Sequence, residues 1–402
     1  MFGHITPWEA AVNEEQSLKY MHDLLRLMVS KKASDLFIAD DFPPAMKIDG
    51  KLTPVANQKL GGVHTRLFAE AMMNDKQRIE FAKEHECNFA VSPEGVGRFR
   101  VNVFVQQEHV TMVIRTIATE IPSTEQMGLP PVLNDIVMSR RGLVLMVGGT
   151  GSGKSTSLAA MIHHRNHNAT DHIITIEDPI EFVHKNAQSL VSHREVGRDT
   201  HSWFAALKNT LRQSPDVIFI GEVRERETME YALAFAETGH LAMATLHANN
   251  ANQAIDRILN FFPIDKRDQV LMDLSLNLKA IISQRLIRRA DGRGRVAAIE
   301  IMQNTPLIAD HIFKGEVQEL KEAMVKGREQ GNQTFDMALF DLAEKGVITR
   351  DEAMRNADSV NDLRVKFRLE SKSAGSAAEF KGASGLSLDD DVTRKLGLDK
   401  KP

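Results

Sequence analysis

Cysteine is almost absent from this 402-residue chain, and Cys87 stands alone. One thiol cannot make an internal disulfide framework or a Cys-rich zinc knuckle, and it suits a reducing compartment. Tryptophan and tyrosine are scarce, with two of each. No excess of positive charge is present either: 50 Lys+Arg against 54 Asp+Glu leave a net charge of −4. A nucleic-acid motor would carry a basic groove interleaved with aromatic side chains, so these numbers argue against nucleic acid as the main partner. No apolar run approaches the roughly 18 residues needed to span a bilayer. The opening Met1-Phe2-Gly3-His4-Ile5-Thr6-Pro7 has neither the basic stretch nor the apolar core of a secretory signal. The expectation is a cytosolic, soluble protein without a structural zinc.

Ordinary globular composition accompanies these absences, with 42% hydrophobic and 26% charged residues. At roughly 150 residues per domain, the length suggests two or three domains, and no repeat of 20–50 residues is visible. Residues 1–124 read as a small α+β domain. Leu18, Met21, Leu24, Leu25 and Met28 recur at helical spacing. A short strand follows at 35–38, and the alternating stretches 97–104 and 110–115 read as strands with one polar face. A linker with prolines and a glycine occupies 125–131. Residues 132–370 read as α/β: apolar runs at 143–147, 172–176, 217–220, 241–246 and 295–301 alternate with helices and predict a parallel sheet covered on both faces. From 371 to 402 the chain is rich in Ser, Ala, Gly, Lys and Asp, a composition that predicts disorder.

Gly148-Gly149-Thr150-Gly151-Ser152-Gly153-Lys154-Ser155, followed by Thr156, fits the phosphate-loop pattern G-x-x-x-x-G-K-[ST] between a strand and a helix. Glycines let successive N–H groups turn inward around phosphate oxygens, and the following helix adds its positive end. Lys154 is placed to reach the outer phosphates, and Ser155 offers a hydroxyl to Mg²⁺. A dinucleotide fingerprint is excluded, because Lys154 stands where a small residue is needed. The loop alone does not separate a kinase, a GTPase, a helicase and a motor.

Three carboxylates, Glu177, Asp178 and Glu181, follow a strand end, where parallel α/β sheets bind ligands. They suit orientation of an attacking water or a hydrated Mg²⁺, and equally the capping of a helix. The strand 217–220 resembles a Walker B strand, but Gly221 replaces the usual Asp, so Glu222 carries the acidic role; Asp216 reads as a turn residue. His240 and His247 bracket the strand 241–246. At about 3.3 Å per residue they lie roughly 23 Å apart, which makes His247 the better γ-phosphate sensor and His240 a supporting or inter-subunit residue. Arg98 and Arg100 share one strand face, and Arg115 ends the next strand. Each suits either a solvated face or a phosphate-directed guanidinium.

The phosphate loop, Ile-Glu-Asp-Pro-Ile-Glu-Phe at 176–182, Gly-Glu-Val-Arg at 221–224, Glu-Thr-Gly-His at 237–240 and Thr-Leu-His-Ala at 245–248 together resemble the secretion-superfamily hexameric ATPases. Within these, the chain is similar to the PilT/PilU type IV pilus retraction ATPases from about residue 15 to 368. Stretches 86–90, 206–213 and 246–254 look closer to the PilU branch. The resemblance implies a PAS-like N-terminal domain on a RecA-like core, a homo-hexameric ring binding ATP and Mg²⁺, and a motor for pilus retraction and twitching. It implies Glu181 as catalytic glutamate, Glu177 and Asp178 completing an acidic box, Glu222 as Walker B acid, and His240 and His247 as a histidine box. Arg98, Arg100 and Arg115 become candidates to complete the nucleotide site.

Expected partners are a PilT-like ATPase and an inner-membrane pilus platform protein, with the ring peripheral at the cytoplasmic pilus base. Two departures stand out. Phe37 replaces a His usual in PilT-type chains, and 306–316 departs from the PilT Ala-Ile-Arg-Asn-Leu-Ile-Arg-Glu motif. The second favours an accessory motor. An assembly or type II secretion ATPase of the same superfamily is the alternative, although its usual four-cysteine zinc site cannot be built here.

Overall fold

The computed structural model describes residues 14–48, 50–117 and 120–371. Two sheets organise them. The first is built from β1 (Asp35–Ile38), β2 (Ala45–Ile48), β3 (Lys51–Pro54), β4 (Glu86–Val91), β5 (Arg98–Gln106) and β6 (His109–Ile117), in the order β3-β2-β1-β6-β5-β4. Every neighbouring pair is antiparallel. The helices α1 (Glu14–Ser30), α2 (Gly62–Met72) and α3 (Asp75–Glu84) accompany it. The expected apolar stripe of α1 is real: Met21, Leu24, Leu25 and Met28 are buried and share one cluster with Phe99, Val101 and Val103 of β5. The sequence predicted three of these six strands. The others, β2, β3 and β4, are only four to six residues long, too short for a clear period.

The second sheet contains β7 (Gly142–Val147), β8 (His172–Glu177), β9 (Leu190–Glu195), β10 (Val217–Ile220), β11 (Leu241–Leu246), β12 (Leu278–Arg288) and β13 (Arg295–Gln303), in the order β13-β12-β7-β11-β10-β8-β9. Six of its strands run parallel, while β13 is antiparallel to β12, which corrects the expectation of a wholly parallel sheet. A direct hairpin from β12 permits that reversal without a crossover. Both faces are covered: Leu143, Leu145 and Val147 of β7 enter one apolar cluster, and Val144 and Met146 enter another. This explains why β7 reads as an unbroken apolar run.

Helix α4 (Val132–Val137) leads into β7, and α5 (Lys154–Asn168) follows the phosphate loop. Within the segment expected to be a linker, Leu129 is buried in the core beside Leu133 and Ile136. Ser371, expected to open a disordered tail, is buried; its hydroxyl donates to Glu344 and accepts from Arg350. The rest of that tail and the N-terminal residues read against a secretory signal lie outside the described residues. No described helix is long and apolar enough to cross a membrane.

Candidate functional site

Strand β7 delivers the phosphate loop at its carboxyl end, and its glycines are required by space and backbone. A Cβ on Gly148 would lie 2.5 Å from Ser152 Oγ and 2.7 Å from the Gln284 carbonyl oxygen. Gly153 has φ +86°, and a Cβ there would lie 2.7 Å from Gln284 Nε2. Lys154 opens α5, and its Nζ donates to the carbonyls of Gly148 and Gly149 at 2.6 and 3.0 Å. Burial pulls its pKa below the ordinary lysine value, against the pull of Glu222.

Three other strand ends complete a cavity of about 310 Å³ lined by Thr150, Gly151, Lys154, Ser155, Glu177, Asp178, Glu181, Glu222 and His247, among others. Glu177 ends β8, and its Oε2 accepts the Glu181 N–H at 3.3 Å. Glu181 keeps an exposed edge, but the cavity wall desolvates its carboxyl and pushes the pKa upward. Arg100 opposes that rise, Glu177 adds to it, and Arg115 opposes it. Glu222 follows β10. Its Oε1 is 3.0 Å from His247 Nε2, and its Oε2 accepts from Arg224 Nε at 2.8 Å. Gly221, where an Asp was expected, has a physical reason: a Cβ would sit 3.2 Å from the Glu177 Cα and 3.3 Å from the Ile176 carbonyl. Asp216 is a strand-end anchor, accepting the His172 N–H at 2.9 Å.

The structure therefore gathers Lys154, Ser155, Glu177, Asp178, Glu181, Glu222 and His247 around one space. It does not bring His240 there. His240 precedes β11, its carbonyl accepts the Gly142 N–H at the start of β7, and its ring contacts Thr238 and the Phe235 carbonyl. Parallel pairing of β7 and β11 puts that end opposite the phosphate loop. A catalytic role for His240 within its own chain is thus corrected by strand direction.

The three arginines divide. Arg100 and Arg115 face each other across β5 and β6 and act electrostatically on Glu181, and Arg115 also pairs with Asp35 at 2.8 Å. Arg98 pairs instead with Glu195 at 3.2 Å. The end of β6 meets the site directly: Thr116 and Ile117 share a groove of about 330 Å³ with Gly151–Thr156, Glu181 and Phe182.

Sequence reasoning missed the supports. Gln284 on β12, 1% exposed, accepts from Ser157 Oγ at 2.7 Å and donates to the Ser152 carbonyl at 2.8 Å. On β9, His193 Nε2 accepts the His184 N–H at 3.0 Å. That leaves Nδ1 as the donor, 2.9 Å from Thr175 Oγ1 and 3.9 Å from Glu177 Oε1. Neither strand had been predicted, so neither residue had a place in a motif.

The residues fit a hydrated Mg²⁺ on the chemistry of the donor set, a Ser155 hydroxyl facing the same cavity as Glu177 and Asp178. The nucleotide would bring its own phosphate oxygens to it.

Residues 11–377 match the family described as Type II/IV secretion system protein. The chain is 58% identical over 350 residues to the type IV pilus ATPase PilU of Pseudomonas aeruginosa, covering 87% of this chain and 92% of that one. It is 42% identical over 335 residues to the type IV pilus retraction ATPase PilT of the same organism, covering 83% and 97%. A crystal structure of the pilus retraction motor PilT with bound ADP superposes with a TM-score of 0.80 at 38% identity, covering 87% of this chain and 98% of that one.

Proposed function

The chain belongs to the Type II/IV secretion system protein family, and from that premise we infer how it works as an ATP-hydrolysing motor for type IV pilus retraction. One observation carries the mechanism: the phosphate loop, the acidic ends of β8 and β10, and His247 at the end of β11 converge on one cavity. Backbone amides of the loop and Lys154 hold the phosphates. Glu181 takes the proton of the attacking water, and its raised pKa makes it the stronger base. His247, 3.0 Å from Glu222, senses the γ-phosphate, and Glu222, held also by Arg224, serves as the Walker B acid. Ser155, Glu177 and Asp178 would hold Mg²⁺, which neutralises phosphate charge when bound. Arg100 and Arg115 add positive charge from the N-terminal sheet.

The working form is a homo-hexamer at the cytoplasmic pilus base, peripheral to the inner membrane and seated on a platform protein. It acts as an accessory motor beside a PilT-like ATPase. Departure from the PilT motif at 306–316 supports the accessory role, and the similarity to PilU supports it too.

Live imaging of labelled pili in the host tests this reading, with wild type beside Lys154→Ala. Pili that extend but retract rarely, or stall under load, are the expected result. Cells without pili would make the chain an assembly motor and reverse the direction of the machine.

A further inference from the structure

Arg98 belongs to the N-terminal sheet, yet its partner belongs to the ATPase sheet. Its Nη2 donates to Glu195 Oε2 on β9 at 3.2 Å, with side chains 19% and 9% exposed. The same Oε2 accepts the Ile180 N–H at 3.3 Å. Ile180 adjoins Glu181, whose own N–H is accepted by Glu177 Oε2. Two neighbouring carboxylates, paired in register as Glu177 and Glu195 on β8 and β9, thus hold two consecutive amides of the loop that carries the general base. Glu195 is fixed in turn, because its N–H donates to Asp199 Oδ2 at 2.9 Å. Among the described residues Arg98 Nε is buried without a hydrogen-bond partner, and it is the Nη2 bond to Glu195 that orients the guanidinium.

We propose that Arg98 and Glu195 form a strut through which the seat of the N-terminal sheet on the core keeps the Glu181 loop in its catalytic shape. Arg98 is a positioning residue. It acts through Glu195 and the Ile180 amide, and it does not bind phosphate. The assignment rests on Glu181 being the general base. The physical reason is geometry. Without Arg98, Glu195 Oε2 loses the donor that holds it at the Ile180 N–H and is free to turn away from the loop. A shift of the sheet by about 1 Å takes a 3.2 Å contact out of hydrogen-bond range. The loop therefore reads the relative position of the two sheets.

Three full-length variants test it: Arg98→Ala, Glu195→Ala and the double. Amide hydrogen exchange over residues 179–183 should accelerate in each, since the Ile180 bond loosens. Affinity for a fluorescent ATP analogue should stay near wild type, while kcat falls roughly 10–100-fold, as for loss of an orienting partner. The double variant should be no slower than the slower single, because the two residues act as a unit. Arg98→Lys should recover part of the rate. Unchanged exchange at 179–183 in Arg98→Ala overturns the strut. So does a loss of analogue affinity in Arg98→Ala that Glu195→Ala lacks, which would make Arg98 a phosphate ligand. Variants that lose exchange protection across both sheets have misfolded, and Arg98→Lys with Glu195→Gln then carries the same comparison. If the wild type fails to hydrolyse ATP, the ATPase reading falls, and the exchange measurement still decides the strut.

Discussion

Glu181 and Glu300 are both carboxyls with raised pKa, yet they do different work. Glu181 meets solvent at the cavity, so its shift tunes a base. Glu181→Gln should retain nucleotide binding and lose about 10²–10⁴ in turnover, measured as steady-state ATPase against analogue affinity. Glu300 is 1% exposed on β13, and its Oε1 accepts from the Ala251 N–H at 2.8 Å and Ser283 Oγ at 2.9 Å. Burial pushes its pKa from 4.5 to about 7. Between those values the folded chain binds more protons at this position than the unfolded chain, so stability falls as pH rises. The full cost is on the order of 3 kcal/mol above the higher value. Glu300→Gln should therefore raise the Tm at pH 8 and change it little at pH 4. Equal effects at both pH values would show that folding leaves the Glu300 pKa unshifted.

Strands β9 and β12 show where sequence legibility ends. The phosphate loop, the acidic strand ends and the core strands β7, β8, β10 and β11 were readable because a buried parallel strand is a short apolar run with chemistry at its carboxyl end. Strand β9, Leu190–Glu195, has two apolar residues in six and forms a sheet edge. Its His193 and Glu195 side chains bond to Thr175 and the Ile180 N–H, so polar support of the site erased the pattern that would reveal it. Strand β12 carries Ser283 and Gln284 in its middle, both buried. Their burial depends on partners elsewhere in the chain, which local periodicity does not encode. Gln284→Ala should show the cost. Ser157, fully buried, loses its partner at about 1–3 kcal/mol, and the Ser152 carbonyl loses its donor. We expect roughly tenfold weaker nucleotide binding together with a lower Tm, read by analogue titration and calorimetry. A normal affinity would mean that the phosphate loop holds its shape unaided.

At the scale of the whole chain, one residue past Gln284 connects the site to its far end. Successive side chains on a strand point to opposite sides, so Arg285 faces away from the phosphate loop. It donates to the carbonyls of Asn356 at 2.9 Å and Asn249 at 3.4 Å, pairs with Asp358 at 2.8 Å, and lies 3.9 Å from the centre of the Phe335 ring. Asn249 follows His247 by two residues, so the C-terminal helices grip the loop that carries the γ-phosphate sensor. Lys321 holds Asp358 from another side at 2.6 Å. A chain ending at Asn356 should bind the ATP analogue more weakly than the full chain, although every cavity residue is intact; equal affinity would sever the connection. Proteolysis between Asn356 and Val360 would then disarm the motor from behind, and a cell that trims this end would have an off-switch that leaves the nucleotide pocket untouched.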